Sequence, residues 1–409
     1  MLLEKSTLIG NQTLEISGSK SISNRLLILK KLYNTISVQN LSNSEDTQLL
    51  QKALVSEDSI IDIHHAGTAM RFLTSYFALQ DGRIVTLTGS ERMQQRPIHF
   101  LVEALRKLGA DITYLKNEGY PPIKIKGKKL TENSVSIPAN ISSQFISSLM
   151  LISAEFEDGL TIILEGKITS RPYLEMTLKI LRSVGISTQW NDNIIHISGK
   201  MQTEKSSQSI PFVVESDWSS ASYFYSLAAI GRETINLKSF KPYSLQGDSA
   251  LREIYWQFFG VNTISEGAES KISLLPENHF TFPEKITLDM NDCPDIAQTL
   301  CVTATALNIP FEITGLATLK VKETDRLFAL KNELFKIGGI SEITEDSIYS
   351  VKFFEPNDHI SIETYNDHRM AMSFAPFCLK KSLTIGNPEV VEKSYPDFWI
   401  DLEKIIIKD

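Results

Sequence analysis

TAMRFLTSYFALQ, residues 68–80, is apolar almost all the way round a helix, and beyond Arg71 its polar positions are mostly small hydroxyls. A helix that is apolar on every face is buried inside a protein, whereas a surface helix keeps a polar face. The same texture returns in SQFISSLMLISAEF (143–156), SSASYFYSLAAIG (219–231) and DIAQTLCVTATALN (295–308). Other segments are amphipathic. In PIHFLVEALRKLG (97–109), Ile98, Leu101, Val102, Leu105 and Leu108 fall at helical spacing, and Gly109 stands where a left-handed cap is expected.

Around these helices one pattern recurs about six times: a short β-branched strand, a polar loop, then an amphipathic helix. Its strands are SVQNL (37–41), VTLTG (85–89), TIILEG (161–166), TINLK (234–238), FEITG (311–315) and LTIGN (383–387). Each repeat therefore offers one surface helix and one interior helix. Six such repeats predict two lobes of three, with interior helices packed together and sheets outside. An ordinary doubly wound sheet would instead carry amphipathic helices on its faces.

Bulk properties bound the function. The chain has 409 residues, 42% hydrophobic and 22% charged, enough for two domains or one large one. No run of eighteen apolar residues predicts a membrane span. The N-terminal stretch lacks a charged-then-apolar export pattern, so a cytoplasmic setting is expected. Cys293, Cys301 and Cys378 show no CxxC spacing, which fits a reduced compartment and no disulfide framework. A net charge of −8 disfavours nucleic acid as a partner. An anionic ligand would need positive charge concentrated locally.

Such concentration is visible at the starts of the buried helices. GSKSISNR (18–25), AGTAMR (66–71), ISSQF (141–145), ESDWSSASYF (215–224), NDCPDIAQT (291–299) and NDHRMAM (366–372) are dense in Ser, Thr, Asp and Asn. Those residues cap helices. Capping does not explain Lys20, Arg25, Arg71 and Arg369, because cations oppose the dipole at a helix start. Anion binding explains both the cations and the small residues. GSKS lacks the spacing of a nucleotide-binding P-loop, which removes the main support for an ATP-dependent kinase. His64, His65 and His368 have no metal-ligand spacing and read as site-lining or structural.

Ten segments stand in the same order as in the EPSP synthase (3-phosphoshikimate 1-carboxyvinyltransferase) family, which the chain resembles from about residue 16 to residue 398. They are GSKSISNR, AGTAMR, RMQQRPI, SSQF, SRPY, ESDWSSASYF, LQGD, DMNDCPD, VKETDRL and YNDHRMAM. The resemblance implies an α/β fold of two lobes, each an inside-out α/β barrel of three βαβαββ units. Residues 1–18 with 216–409 would form one lobe and 19–215 the other, with the active site in the interlobe cleft. The implied reaction joins the 5-hydroxyl of shikimate 3-phosphate to C2 of phosphoenolpyruvate and releases phosphate through a tetrahedral intermediate. It uses no metal and no organic cofactor, and the family is usually monomeric.

Carried over by resemblance, Asp295 would be the base for the 5-hydroxyl, Glu323 the acid for C3, and Lys20 would reach both substrates. Ser21 and Arg25 would hold the shikimate part, with Tyr173 against its ring. Ser142, Ser143 and Ser170 would hold its phosphate, beside Arg171. Thr318 and Lys322 would also contact shikimate 3-phosphate, and Gln144 would bridge the two substrates. Gly67, Arg96, Arg326, His368, Arg369 and Lys393 would surround phosphoenolpyruvate. The chain departs from the family pattern at Ser17, His65, Phe72, Thr318 and Trp218. The related UDP-N-acetylglucosamine enolpyruvyl transferases usually carry a Cys before the Arg-Pro helix; GSERMQQR (89–96) has none. A non-catalytic anion-binding scaffold would not call for Asp295 and Glu323 together.

Overall fold

The computed structural model describes residues 1–199, 210–266 and 270–409. The chain divides into two compact units. One comprises Met1–Ser19 with Glu215–Asp409, and the other Lys20–Val214.

Within Lys20–Val214, two four-stranded sheets follow one plan. Ile60–Asp62 runs parallel to Ile84–Thr88, and the hairpin Asp111–Tyr114/Ile123–Lys126 adds antiparallel to the second strand. Ser134–Pro138 and Leu160–Glu165 are likewise parallel, extended by the hairpin Thr188–Asn191/Ile194–Ile197. Each parallel pair needs a crossover, and Gly67–Ala78 and Ser143–Ile152 supply it. The helices that follow the second strands, His99–Lys107 and Arg171–Ser183, each bury one stripe, such as Leu101, Val102, Ala104 and Leu105. Gly109 and Gly185 end these segments at positive φ, where a side chain would be strained.

The other unit repeats the plan. Gln12–Glu15 pairs with Ile235–Lys238, and Ile286–Asp289 with Phe311–Thr314; each pair is parallel and extended by a hairpin. Four repeats thus carry a complete sheet. Among the described residues the remaining two are abbreviated: Ile36–Gln39 pairs only with Ile210–Val213, and Ile360–Ile362 with Leu383–Ile385, whose other edge takes Leu2–Leu3.

The crossover helices are the interior ones. All twelve residues of Gly67–Ala78 and all ten of Ala297–Ala306 are buried, as are all seven of His368–Phe374. Their small hydroxyls explain how polar atoms survive there. Ser75 and Ser148 pair at 2.6 Å, and Ser148 Oγ also donates to the Arg71 carbonyl at 2.6 Å. In the other unit Thr299 bonds Ser222 and Ser373, and Thr303 donates to Ser226. Small side chains let the helices approach, and these paired hydroxyls satisfy one another. Trp218 is part of this core, fully buried and edge-on to Phe240 with ring centroids 4.9 Å apart. Its extra bulk is absorbed by packing. Among the described residues no helix is long and apolar enough to cross a membrane.

Candidate active site

The polar segments lie where parallel strands end and crossover helices begin. That is where open α/β sheets collect ligands, because loops and free helix N–H groups meet there. Each unit carries one such cluster.

In Met1–Ser19/Glu215–Asp409 the cluster centres on Arg326, the first residue of helix Arg326–Lys336 and only 2% exposed. Asp325 caps that helix by accepting from Phe328 N, which fixes the start of the helix. The Arg326 guanidinium donates to three carboxylates. Nε and Nη2 reach Asp367 at 2.6 and 3.3 Å, Nη1 reaches Asp295 Oδ1 at 3.1 Å, and Nη2 reaches Glu323 Oε2 at 2.8 Å. Asp367 is fully buried and also caps helix His368–Phe374 by accepting from Arg369 N.

Asp295 stands in the turn Pro294–Ile296. Besides Arg326, its carboxylate meets Lys322 Nζ at 3.3 Å and Arg369 Nη2 at 3.3 Å. Burial works against its ionisation, yet Lys322, Arg369 and Arg326 hold the carboxyl well below the usual carboxylate range. Burial lowers the Lys322 ammonium, and Asp295 opposes that effect. Burial also works against the charged Arg326, but Asp367, Glu323 and Asp295 outweigh it and raise its value. Glu323 takes a second cation, Lys393 Nζ, at 2.8 Å. Arg369 further donates to the Asp295 carbonyl and to Ser219 Oγ, and Ser219 donates to Asp248. Thr318 Oγ1 is buried without a protein partner. His368 is 2% exposed, with Nδ1 3.6 Å from Asp367 Oδ1. Four cations thus interleave with three carboxylates, and seven of the eight residues expected in this unit, all but Thr318, fall in or beside the network.

In Lys20–Val214 the second cluster is mainly cationic. Gly67 opens helix Gly67–Ala78, and two guanidinium groups converge on it. A Cβ at Gly67 would lie 2.7 Å from Arg96 Nη1 and 3.1 Å from Arg71 Nη1. Arg71 is held by the Gly67 and Pro97 carbonyls. Gln144 donates to Thr68 at 3.1 Å, so the start of Ser143–Ile152 sits beside the start of Gly67–Ala78. Lys20, at the head of Lys20–Leu32, pairs with the buried Asp46 at 3.2 Å.

The Thr169 hydroxyl bonds the Ala139 and Ile141 carbonyls, which ties the residue before Ser170 to the loop that leads to Ser142 and Ser143. Ser170 holds a left-handed conformation, φ 52°, at the mouth of Arg171–Ser183. Arg25 is 2% exposed and lies among Ser21, Ser147, Tyr173 and Thr177. Arg171 turns away, onto Glu175 at 2.9 Å and the Trp190 ring. His65 Nδ1 meets Ser90 Oγ at 2.8 Å, which ties the turn before Gly67 to the loop leading to Arg96.

The structure adds residues that sequence reasoning had not placed in the site. Arg71 was visible as a cation at a helix start. Asp46 carried no local signal, because its partner lies 26 residues away, and Asp248, though it closes the LQGD segment, meets Ser219 from 29 residues away. Among the described residues no three His, Cys, Asp or Glu side chains gather as a metal would require.

Comparisons with known proteins agree on one family. The profile of EPSP synthase (3-phosphoshikimate 1-carboxyvinyltransferase) matches residues 49–402. A 3-phosphoshikimate 1-carboxyvinyltransferase of Bacteroides fragilis is 45% identical, covering 96% of this chain and 94% of the relative. The protein of that name from Colwellia psychrerythraea is 34% identical, covering 97% of each chain. Among solved structures, an EPSP synthase from Acinetobacter baumannii superposes with TM-score 0.73 at 22% identity, covering 98% of this chain and 97% of that one. The enolpyruvyl transferase NikO from Streptomyces tendae gives 0.70 at 13% identity, covering 99% and 97%.

Proposed function

The chain belongs to the EPSP synthase family, and from that premise we propose how its two clusters share one reaction. The reaction transfers the enolpyruvyl group of phosphoenolpyruvate to shikimate 3-phosphate, a step of the shikimate pathway. Both substrates are small polyanions. The cluster of Lys20, Arg25, Arg71 and Arg96, with one carboxylate at Asp46, supplies the excess positive charge they need. The cluster around Arg326 supplies the proton chemistry.

Asp295 accepts the proton of the 5-hydroxyl as oxygen attacks C2, and Glu323 delivers a proton to C3. The tetrahedral intermediate then collapses: the Glu323 carboxylate takes one proton back from C3 as the C2–O bond to phosphate breaks, the proton held by Asp295 leaves with the phosphate, and Arg326, Arg369, Lys393 and Arg96 stabilise the charge. Ser142, Ser143 and Ser170 hold the 3-phosphate with hydroxyls and helix N–H groups. Ser21, Arg25, Tyr173, Thr318 and Lys322 hold the remainder of shikimate 3-phosphate. Gln144 and Lys20 touch both substrates. Gly67 and His368 border phosphoenolpyruvate. The enzyme works as a cytoplasmic monomer. One observation carries this reading: two carboxylates, Asp295 and Glu323, share one buried guanidinium. Anion binding alone gains nothing from them.

The test is phosphate release from purified protein. Release with phosphoenolpyruvate and shikimate 3-phosphate, and none with UDP-N-acetylglucosamine, is the expected result. Release only with the sugar nucleotide would overturn it.

Gly67 allows a sharper prediction. Its φ is not in the left-handed region, so alanine adds no backbone strain there and acts only through the guanidinium groups. Gly67→Ala should raise the KM for phosphoenolpyruvate about tenfold or more, the scale of overpacking a tight site. The KM for shikimate 3-phosphate should stay within about twofold. Equal changes in both constants would remove Gly67 from the phosphoenolpyruvate side.

A further inference from the structure

Arg25 is a buried cation, and among the described residues no carboxylate pairs with it. Its neighbours are neutral: Thr177 Oγ1 accepts from Nε at 2.7 Å, Ser147 Oγ from Nη2 at 3.0 Å, the Ser21 carbonyl from Nη1 at 2.8 Å and the Tyr173 carbonyl from Nη2 at 3.4 Å. These contacts occupy four of its five N–H groups and leave one on Nη1. The guanidinium also lies over the Phe72 ring, 5.5 Å from the centroid. Burial pushes its pKa down to about 10, so the group remains charged at neutrality.

The hydroxyl protons can be assigned. Thr177 has one, and it goes to the Tyr173 carbonyl at 2.9 Å. In the Ser147–Thr177 pair, 3.1 Å apart, Ser147 must therefore be the donor. Both hydroxyls then turn lone pairs toward Arg25. They fix its orientation and supply no charge. Arg326, by contrast, has three carboxylate partners. A guanidinium buried without a counter-ion is costly unless an anion completes it.

We propose that Thr177, Ser147 and Phe72 are positioning residues that hold Arg25 with its charge uncompensated, so that a carboxylate or phosphate of the bound substrate becomes its counter-ion. This rests on the reading of Arg25 as a shikimate 3-phosphate contact. It also gives Phe72 a function. The ring, 1% exposed, backs the shikimate-side cation from the helix that begins at Gly67.

Thr177→Val keeps the shape and removes the hydroxyl; Thr177→Ser keeps the hydroxyl. Steady-state kinetics with each substrate varied, thermal midpoints and calorimetric binding of shikimate 3-phosphate would be measured for these two, Ser147→Ala, Phe72→Leu and Arg25→Ala. Thr177→Val and Ser147→Ala should each raise the KM and Kd for shikimate 3-phosphate about tenfold, the scale of one hydrogen bond to a charged group. The phosphoenolpyruvate KM and kcat should stay within about twofold, and Phe72→Leu should shift the same constants by about threefold to tenfold. Thr177→Ser should restore the parent values. Unchanged shikimate 3-phosphate binding in Thr177→Val overturns the inference. So does a loss spread equally over both substrates that Thr177→Ser fails to rescue, since that is a folding defect. If Arg25→Ala itself binds shikimate 3-phosphate normally, the underlying reading of Arg25 fails and the inference falls with it.

Discussion

Asp295→Asn should lower kcat by about 10²- to 10⁴-fold, the usual worth of a positioned general base, while both substrates still bind. Asparagine fills the same space and accepts hydrogen bonds, but it cannot take a proton. The surroundings of Asp295 define the mechanism further. Lys322 and Arg326 approach Oδ1, and Arg369 approaches Oδ2. A carboxylate held so strongly in its ionised form is a weak proton acceptor. In the proposed role, its basicity would return when substrate anions draw Arg326 and Arg369 away. On the proposed reading, Asp295 would therefore become competent as a base when phosphoenolpyruvate arrives. Glu323 obeys the same logic. As a proton donor it must be the neutral acid, which cannot keep two charge-assisted bonds from Arg326 and Lys393 at full strength, so at least one of those cations turns to substrate first.

Stability gives Asp295→Asn a second readout. The folded-state carboxyl sits below its unfolded value, near 4, so its ionisation stabilises the fold in full above that pH. The contribution shrinks as pH falls below 4 toward the folded value. The variant should therefore melt below the parent at pH 7, and the gap should narrow under acid. A variant with parental kcat would end Asp295's role as base, and a gap that widened under acid would contradict the ion-pair account.

The interior helices could be read in the sequence because their signal is local: no polar face and many small hydroxyls in TAMRFLTSYFALQ and DIAQTLCVTATALN. The cations proposed for the site stood out for a related reason, since Lys20, Arg71 and Arg369 stand where the helix dipole disfavours them. What stayed hidden depends on long-range partners. Nothing near Arg25 announces Thr177, 152 residues on, or Ser147, 122 residues on. Phe72 follows AGTAMR in sequence, yet its ring faces Arg25. Trp218 sits inside a capping segment, yet its indole belongs to the core. The two abbreviated repeats were equally silent. Their strands look like the others, and only pairing reveals that, among the described residues, Ile36–Gln39 has a single partner, Ile210–Val213.

Arg326→Met should abolish measurable turnover and destabilise its unit by about 3–5 kcal/mol, the cost of leaving buried charge without its partner. The carboxylate exposed to that loss is Asp367. It has no solvent exposure, takes two N–H groups from Arg326, and caps the helix that carries Arg369. Arg326→Lys should fall between. An ammonium keeps the charge but cannot span Asp367, Asp295 and Glu323 with one planar fork. The double variant Arg326→Met/Asp367→Asn separates structure from chemistry. It removes the stranded charge and keeps a capping oxygen, so most of the lost stability should return. Turnover should not return, because the cation assigned to phosphoenolpyruvate is still missing. A double variant no more stable than the single one would show that Asp367 is not the group Arg326 neutralises. Recovered turnover would show that Arg326 serves the fold alone, leaving Arg369, Lys393 and Arg96 to hold the anion.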